Sequence, residues 1–157
     1  MPLFEKILVP LDGSEHSLRA LEIAIQIAKK FDGKITLLHV YSVTARPILI
    51  PESTTLTPPG VPVMMPAEIS KLIEATRKAG ADILAEGEQK IKAEKVQVET
   101  MLLEGQIAEE IAKTAKEGKF NLIVMGARGI SKIKEILLGS VSDGVIRNSP
   151  CPVLVVK

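Results

Sequence analysis

The residues best able to do chemistry form two short clusters. One is Gly126-Ala127-Arg128-Gly129; the other, nine residues later, is Gly139-Ser140-Val141-Ser142. Glycine lets a backbone approach a ligand closely. A helix expected over Ser140 to Asn148 would place its free first-turn N–H groups, and the positive end of its dipole, at Gly139-Ser140. The hydroxyls of Ser140 and Ser142 add donors, and Arg128 adds a cation. Such a set suits phosphate oxygens. The same residues also suit a tight turn followed by an ordinary serine N-cap, and spacing alone leaves the two readings level.

The other reactive side chains have plainer readings. Asp12-Gly13-Ser14-Glu15 resembles a capping box, with Asp12 as the expected N-cap and Glu15 three residues on. His39 lies between Leu38 and Val40 and reads as a core histidine, since a catalytic base needs an oriented partner and none is evident. His16 falls in a first helical turn and reads as solvated, as do Glu109, Glu110 and Glu135. Cys151 is the one cysteine. It precludes an intrachain disulfide, fits a reducing compartment, and with only two histidines leaves no Cys/His zinc site. Between Pro150 and Pro152 it reads as a small buried hydrophobe.

The elements that must position these groups alternate between strand and helix. Lys6 to Pro10 is a short apolar run of the kind buried on both faces. Leu18, Leu21, Ile25 and Ala28 then recur at helical spacing until Asp32-Gly33, where glycine would take the left-handed conformation. Ile35 to Tyr41 is a second buried strand. A helix is expected over Ala67 to Lys95, weakened by Gly80 and Gly87. Val96 to Leu103 alternates at its start like an edge strand. A helix over Gln106 to Glu117 follows, ended by Gly118, then a strand over Asn121 to Met125. Short helices are expected over Ser131 to Leu138 and Ser140 to Asn148, and a last strand over Val153 to Val156. Strands separated by helices require crossovers, so the fold class is α/β with a parallel sheet and helices on both faces. Ligands of such sheets bind beyond the carboxyl ends of the strands. That directs attention to the loops near Pro10, Val40, Leu103 and Met125.

Composition narrows the function further. The 157 residues are 46% hydrophobic and 25% charged, as in one globular domain spanning 1–157. No apolar run reaches the ~18 residues of a membrane helix, and the N-terminus lacks signal-peptide character. A net charge of +1 and only four aromatic residues (Phe4, Phe31, Tyr41, Phe120) argue against nucleic-acid binding. The stretch 42–66 holds six of the ten prolines. It exceeds the ~12–15 residues usual for connections. Its apolar residues, among them Ile48, Leu49, Ile50, Val63 and Met64, suit an arm that packs on something, such as a partner subunit, as well as a floppy insertion.

Gly126-x2-Gly129-x9-Gly139-Ser140 resembles the nucleotide-binding signature of the universal stress protein family. Ile7-Leu8-Val9-Pro10-Leu11-Asp12-Gly13-Ser14 resembles that family's opening strand and turn, and Leu38-His39-Val40 its second strand. Asn121 to Gly126 leads into the signature as in the family, and Ser149 to Val156 resembles the closing strand. The resemblance covers nearly the whole chain except the proline-rich arm. It implies an open five-stranded parallel sheet of order 3-2-1-4-5, Rossmann-like and of the adenine nucleotide alpha hydrolase-like kind. It further implies ATP, accompanied by Mg2+, in a crevice between the first and fourth loops. Gly126, Gly129, Gly139 and Ser140 would cradle phosphates, beside Val141 and Ser142. Asp12 would reach the ribose hydroxyls or a magnesium-bound water. Pro10 and Val40 would border the adenosine, the Val40 backbone reading adenine. Met125 lies at the entry to the signature, and Arg128 occupies a position of varying identity.

These readings make the chain a cytoplasmic, ATP-binding regulator or sensor of the stress response, with a slow ATPase as the alternative. No general base and no P-loop lysine is available for fast hydrolysis. The Ser-Gly-Gly-x-Asp-Ser pyrophosphate loop of the related alpha hydrolases is replaced by Leu11-Asp12-Gly13-Ser14-Glu15. Few aromatics remain to cover a flavin. If the last strand ends the sheet, Val153, Leu154, Val155 and Val156 present an uncharged edge that would pair with a second copy, giving a homodimer.

Overall fold

The computed structural model describes residues 3–42, 66–129 and 138–157. The arm over 43–65, and nearly all of the short helix expected over Ser131 to Leu138, lie outside the described residues. The element order is β1 (Lys6–Pro10), α1 (Glu15–Phe31), β2 (Lys34–Tyr41), α2 (Pro66–Ala93), β3 (Val98–Glu104), α3 (Ile107–Glu117), β4 (Leu122–Gly126), α4 (Ser140–Asn148) and β5 (Val153–Val156). The strands form one parallel sheet in the order β3-β2-β1-β4-β5.

Side chains alternate across a strand, so each run feeds two cores. Ile7, Val9, Ile35, Leu37, Leu122 and Val124 face α1 and α2. Leu8, Leu38, Val40, Ile123 and Met125 face α3 and α4. Burial on both faces explains the near-continuous apolar runs of β1, β2 and β4. β3, at one margin of the sheet, has no fully buried residue, in keeping with its alternating start.

The ends of α1 differ from the expected caps. Ser14, not Asp12, is the N-cap, its Oγ accepting from the Ser17 N–H at 3.3 Å. Gly13, at φ +81°, turns the chain before the helix and moves the start two residues on. At the other end Asp32, not Gly33, is left-handed, at φ +54°. Gly33 serves a different need: a Cβ there would run into the Phe4 carbonyl oxygen and touch Ile7 Cδ1. Replacing Gly33 by alanine should therefore cost about 2 kcal/mol through overpacking. That lowers the melting temperature by roughly 4–8 °C; an unchanged thermal scan would contradict the contact.

α2 ends earlier than its periodicity suggests. Lys95 is left-handed, at φ +60°. The Glu94, Lys95 and Val96 N–H groups all return to carbonyls of Ile91 or Lys92, so residues 94–96 reverse the chain before β3 begins. The two glycines of α2 are notches rather than mere weak points. A Cβ at Gly87 would lie 2.8 Å from Leu11 Cδ2, and one at Gly80 2.5 Å from His39 Cδ2. Among the described residues no helix is long and apolar enough to cross a membrane.

Candidate functional site

The switch in winding direction lies between β1 and β4, as each is the first strand of its half of the sheet. Their pairing stops at Leu8 and Ile123, although the strands run on to Pro10 and Gly126. Beyond that pair they part, and the first turn of α1 sits against Gly126. A Cβ on Gly126 would lie within 2.9 Å of His16 Cβ, His16 C and Ser17 N. Gly126 is thus required by the approach of α1, a role that sequence alone assigned to a ligand. His16 Nδ1 is buried with no hydrogen-bond partner among the described residues.

The two glycine clusters are stapled together by one carbonyl. Ala127 O accepts from the Gly139 N–H and from Ser142 Oγ, both at 2.7 Å. The Ala127 N–H in turn donates to Val156 O at 2.7 Å, fixing the loop to β5. Ser142 is 2% exposed, and its hydroxyl also reaches Gly139 O at 3.0 Å. The hydroxyl proton expected to face a ligand therefore holds the loop instead. Gly139, not a serine, is the N-cap of α4, with no side-chain cap. The first helical backbone bond runs from Asp143 N to Gly139 O. The N–H groups of Ser140, Val141 and Ser142 have no acceptor within the helix.

Gly139 differs from its neighbours in the signature. A Cβ there would make only ordinary contacts, at 3.4 Å from Ala127 O and 3.6 Å from Arg128 Cα, and its φ is −75°. Among the described residues, then, no contact within the fold requires a glycine at this position. Gly129 faces the first loop: a Cβ on it would lie 2.7 Å from Asp12 Oδ2. Asp12 Oδ1 accepts from the Ser14 N–H at 2.9 Å, so the carboxylate is fixed through one oxygen and turns the other toward Gly129. Pro10, Asp12, Gly126, Arg128, Gly129, Gly139, Ser140, Val141 and Ser142 all lie along this carboxyl edge, with Met125 buried beneath.

Val40 stands on the same edge. Polar groups of successive residues in β2 alternate between its two neighbours. The Ile35 N–H and the Tyr41 carbonyl bond β3-side groups, whereas the Lys34 N–H and the Leu38 carbonyl bond the β1 side. Val40 therefore turns its N–H and C=O toward β1. The β1–β2 register ends at Pro10 and Leu38, with a last bond from Leu11 N to Leu38 O at 2.8 Å. The Val40 backbone thus opens into the crevice while its side chain is buried. A groove of about 440 Å³ lined by Lys6, Thr36, Met101, Glu110 and Phe120 lies on the α3 side of the sheet, away from these residues.

An open parallel sheet of this order is a doubly wound, Rossmann-like α/β fold, in which ligands bind beyond the carboxyl ends of the strands at the switch point. The family model of the universal stress protein family matches residues 3–157. The chain is 38% identical over 155 residues to universal stress protein YxiE of Bacillus subtilis, spanning 99% of this chain and 100% of that one. The solved structure of MJ0577, from Methanocaldococcus jannaschii, superposes with a TM-score of 0.82 at 27% identity, over 99% of this chain and 96% of that one. A universal stress protein solved in complex with cAMP gives a TM-score of 0.68 at 30% identity, over 99% and 98% of the two chains. The chain belongs to the universal stress protein family.

Proposed function

We propose that this protein binds ATP, with accompanying Mg2+, in the crevice between its first and fourth loops and acts in the cytoplasm as a nucleotide-dependent regulator. The observation that carries this reading is the juxtaposition of three recognition elements on one edge: the free N–H groups at the start of α4, the glycine at 139 that no contact among the described residues requires, and the β1-facing backbone of Val40. Phosphates suit the first two, through the dipole and the donors. A backbone N–H and C=O side by side suit the edge of adenine. The free Asp12 oxygen suits a ribose hydroxyl or a magnesium-bound water. Binding of cAMP by a relative at 30% identity supports the adenine nucleotide class. Among the described residues no three His, Cys, Asp or Glu side chains are grouped to hold a metal. Magnesium would therefore be held by the phosphates, with Asp12 acting through water.

Mass spectrometry of the ligand released by denaturing freshly purified protein tests this reading. Adenine nucleotide at a substantial fraction of the protein concentration is expected; release of a flavin or another unrelated ligand would overturn it. Turnover should be slow, because Asp12 is half committed to Ser14 and, among the described residues, no side chain with an oriented partner is placed as a base. Phosphate release is expected well below about 1 s⁻¹, the lower end of ordinary enzymes. A faster rate that a crevice substitution abolishes would make the protein an ATPase.

The same reading includes a homodimer through β5. The two sheet margins differ in charge. β3 carries exposed Glu99 and Glu104, which discourage strand addition, whereas β5 is Val-Leu-Val-Val with Leu154 38% exposed.

A further inference from the structure

We infer that His39 is a positioning residue: its ring takes the Leu11 carbonyl away from the Val40 N–H, and so both sets the Asp12 turn and keeps the Val40 backbone open at the crevice. His39 Nδ1 lies 2.6 Å from Leu11 O, a contact in which the ring N–H donates. In a parallel ladder the rung after Leu11 N to Leu38 O would run from the Val40 N–H to Leu11 O. His39 occupies that acceptor instead. Leu11 is 3% exposed, so its carbonyl needs a partner of some kind, and either donor would satisfy it. The oxygen has two lone pairs, yet the register ends at Pro10 and Leu38, where the ring and not the Val40 amide fills it.

Three further features serve this contact. The Leu11 N–H is already bonded to Leu38 O, so β2 grips both polar groups of the residue before Asp12. Asp12 then accepts from the Ser14 N–H and turns its second oxygen toward Gly129. Gly80 of α2 makes room for the imidazole: a Cβ there would lie 2.5 Å from Cδ2 and 3.0 Å from Nε2. The histidine is therefore not a passive core residue. It sets the geometry of one loop and ends one ladder.

The consequence for nucleotide rests on the function proposed above; the backbone switch does not. The test uses the full chain and three readouts. In the unliganded protein, amide exchange followed by NMR is compared for wild type, His39→Phe and His39→Asn. Phenylalanine keeps a ring without the donor, while the asparagine Nδ2 falls near the place of Nδ1. In His39→Phe the Val40 amide should exchange at least about tenfold more slowly, because it gains Leu11 O, and the Ser14 amide should exchange faster. The Leu8 and Val124 amides, which report the whole fold, should shift little. His39→Asn should resemble wild type. A merely structural role would speed exchange everywhere and could not slow Val40. Affinity for MgATP should fall about fivefold to tenfold in His39→Phe, the scale of one hydrogen bond, and within about twofold in His39→Asn.

Unchanged Val40 and Ser14 amides in His39→Phe overturn the inference even where ATP binds. The expected amide changes in a protein that binds no ATP support the inference and remove the nucleotide reading. Should His39→Phe fail to fold, ring ¹⁵N spectra of the wild type decide: a proton on Nδ1 is expected, and a neutral ring protonated only at Nε2 overturns the inference.

Discussion

Replacing Gly139 by valine should weaken binding of ATP with magnesium about a hundredfold, or about 2.7 kcal/mol, and leave the fold intact. The two halves of this expectation come from one observation. A Cβ at residue 139 meets only ordinary contacts among the described residues, and its backbone is not left-handed, so stability should fall by only about 1 kcal/mol, the scale of a poorer N-cap. The same side chain would sit against Ala127, Arg128 and Ser142, beside the first turn of α4 where the phosphates are proposed to sit. Gly126→Val makes the contrast. Its side chain would press on the backbone of His16 and Ser17, so it should lower the melting temperature before it reports on any ligand. Titration calorimetry paired with thermal melting separates the cases. Unchanged affinity in Gly139→Val would remove the phosphate cradle from this loop.

Light scattering should give the intact protein twice its chain mass of 16.9 kDa at micromolar concentration. A lysine at position 154 should return it to one chain mass. Antiparallel pairing of two β5 edges under two-fold symmetry places the same short strand opposite itself. A charge on Leu154 would then meet its own copy near the axis, and like charges directly opposite oppose pairing. Leu154 is partly exposed in the single chain, so the substitution should spare the monomer fold. A chain ending at Pro152 gives a second arm of the test. It also removes the Val156 carbonyl that anchors Ala127, so loop four should loosen with it. A monomeric wild type, or a dimer that survives both changes, would contradict pairing through β5.

Much of the architecture is legible in the residues because burial on both sheet faces leaves continuous apolar runs, and each run is punctuated by a helix of the right period. The strand order is not legible in that way. Periodicity identifies β4 as a buried strand, but nothing local says that it pairs with β1; only the family resemblance supplied the order. The caps show a different limit. Asp12 and Ser14 are both good N-cap residues, and the choice fell to Ser14 because Gly13 spends a left-handed conformation between them. The glycines carry the same lesson at longer range. Gly33, Gly80, Gly87 and Gly126 are required by Phe4, His39, Leu11 and His16, all remote in sequence from the glycine they constrain. Ser142 was readable as a donor but not as an inward one, since its acceptor is a carbonyl fifteen residues earlier. The Ala127 staple and the His39 contact gave no sequence signal, because both act through backbone groups that every residue possesses.

The central claim is that the crevice at the β1–β4 switch point is an adenine nucleotide site, and calorimetric titration of the wild-type chain with ATP and magnesium tests it most directly. The predicted result is one nucleotide per chain with a dissociation constant in the micromolar range, about −8 kcal/mol. Affinity no better than millimolar would contradict it.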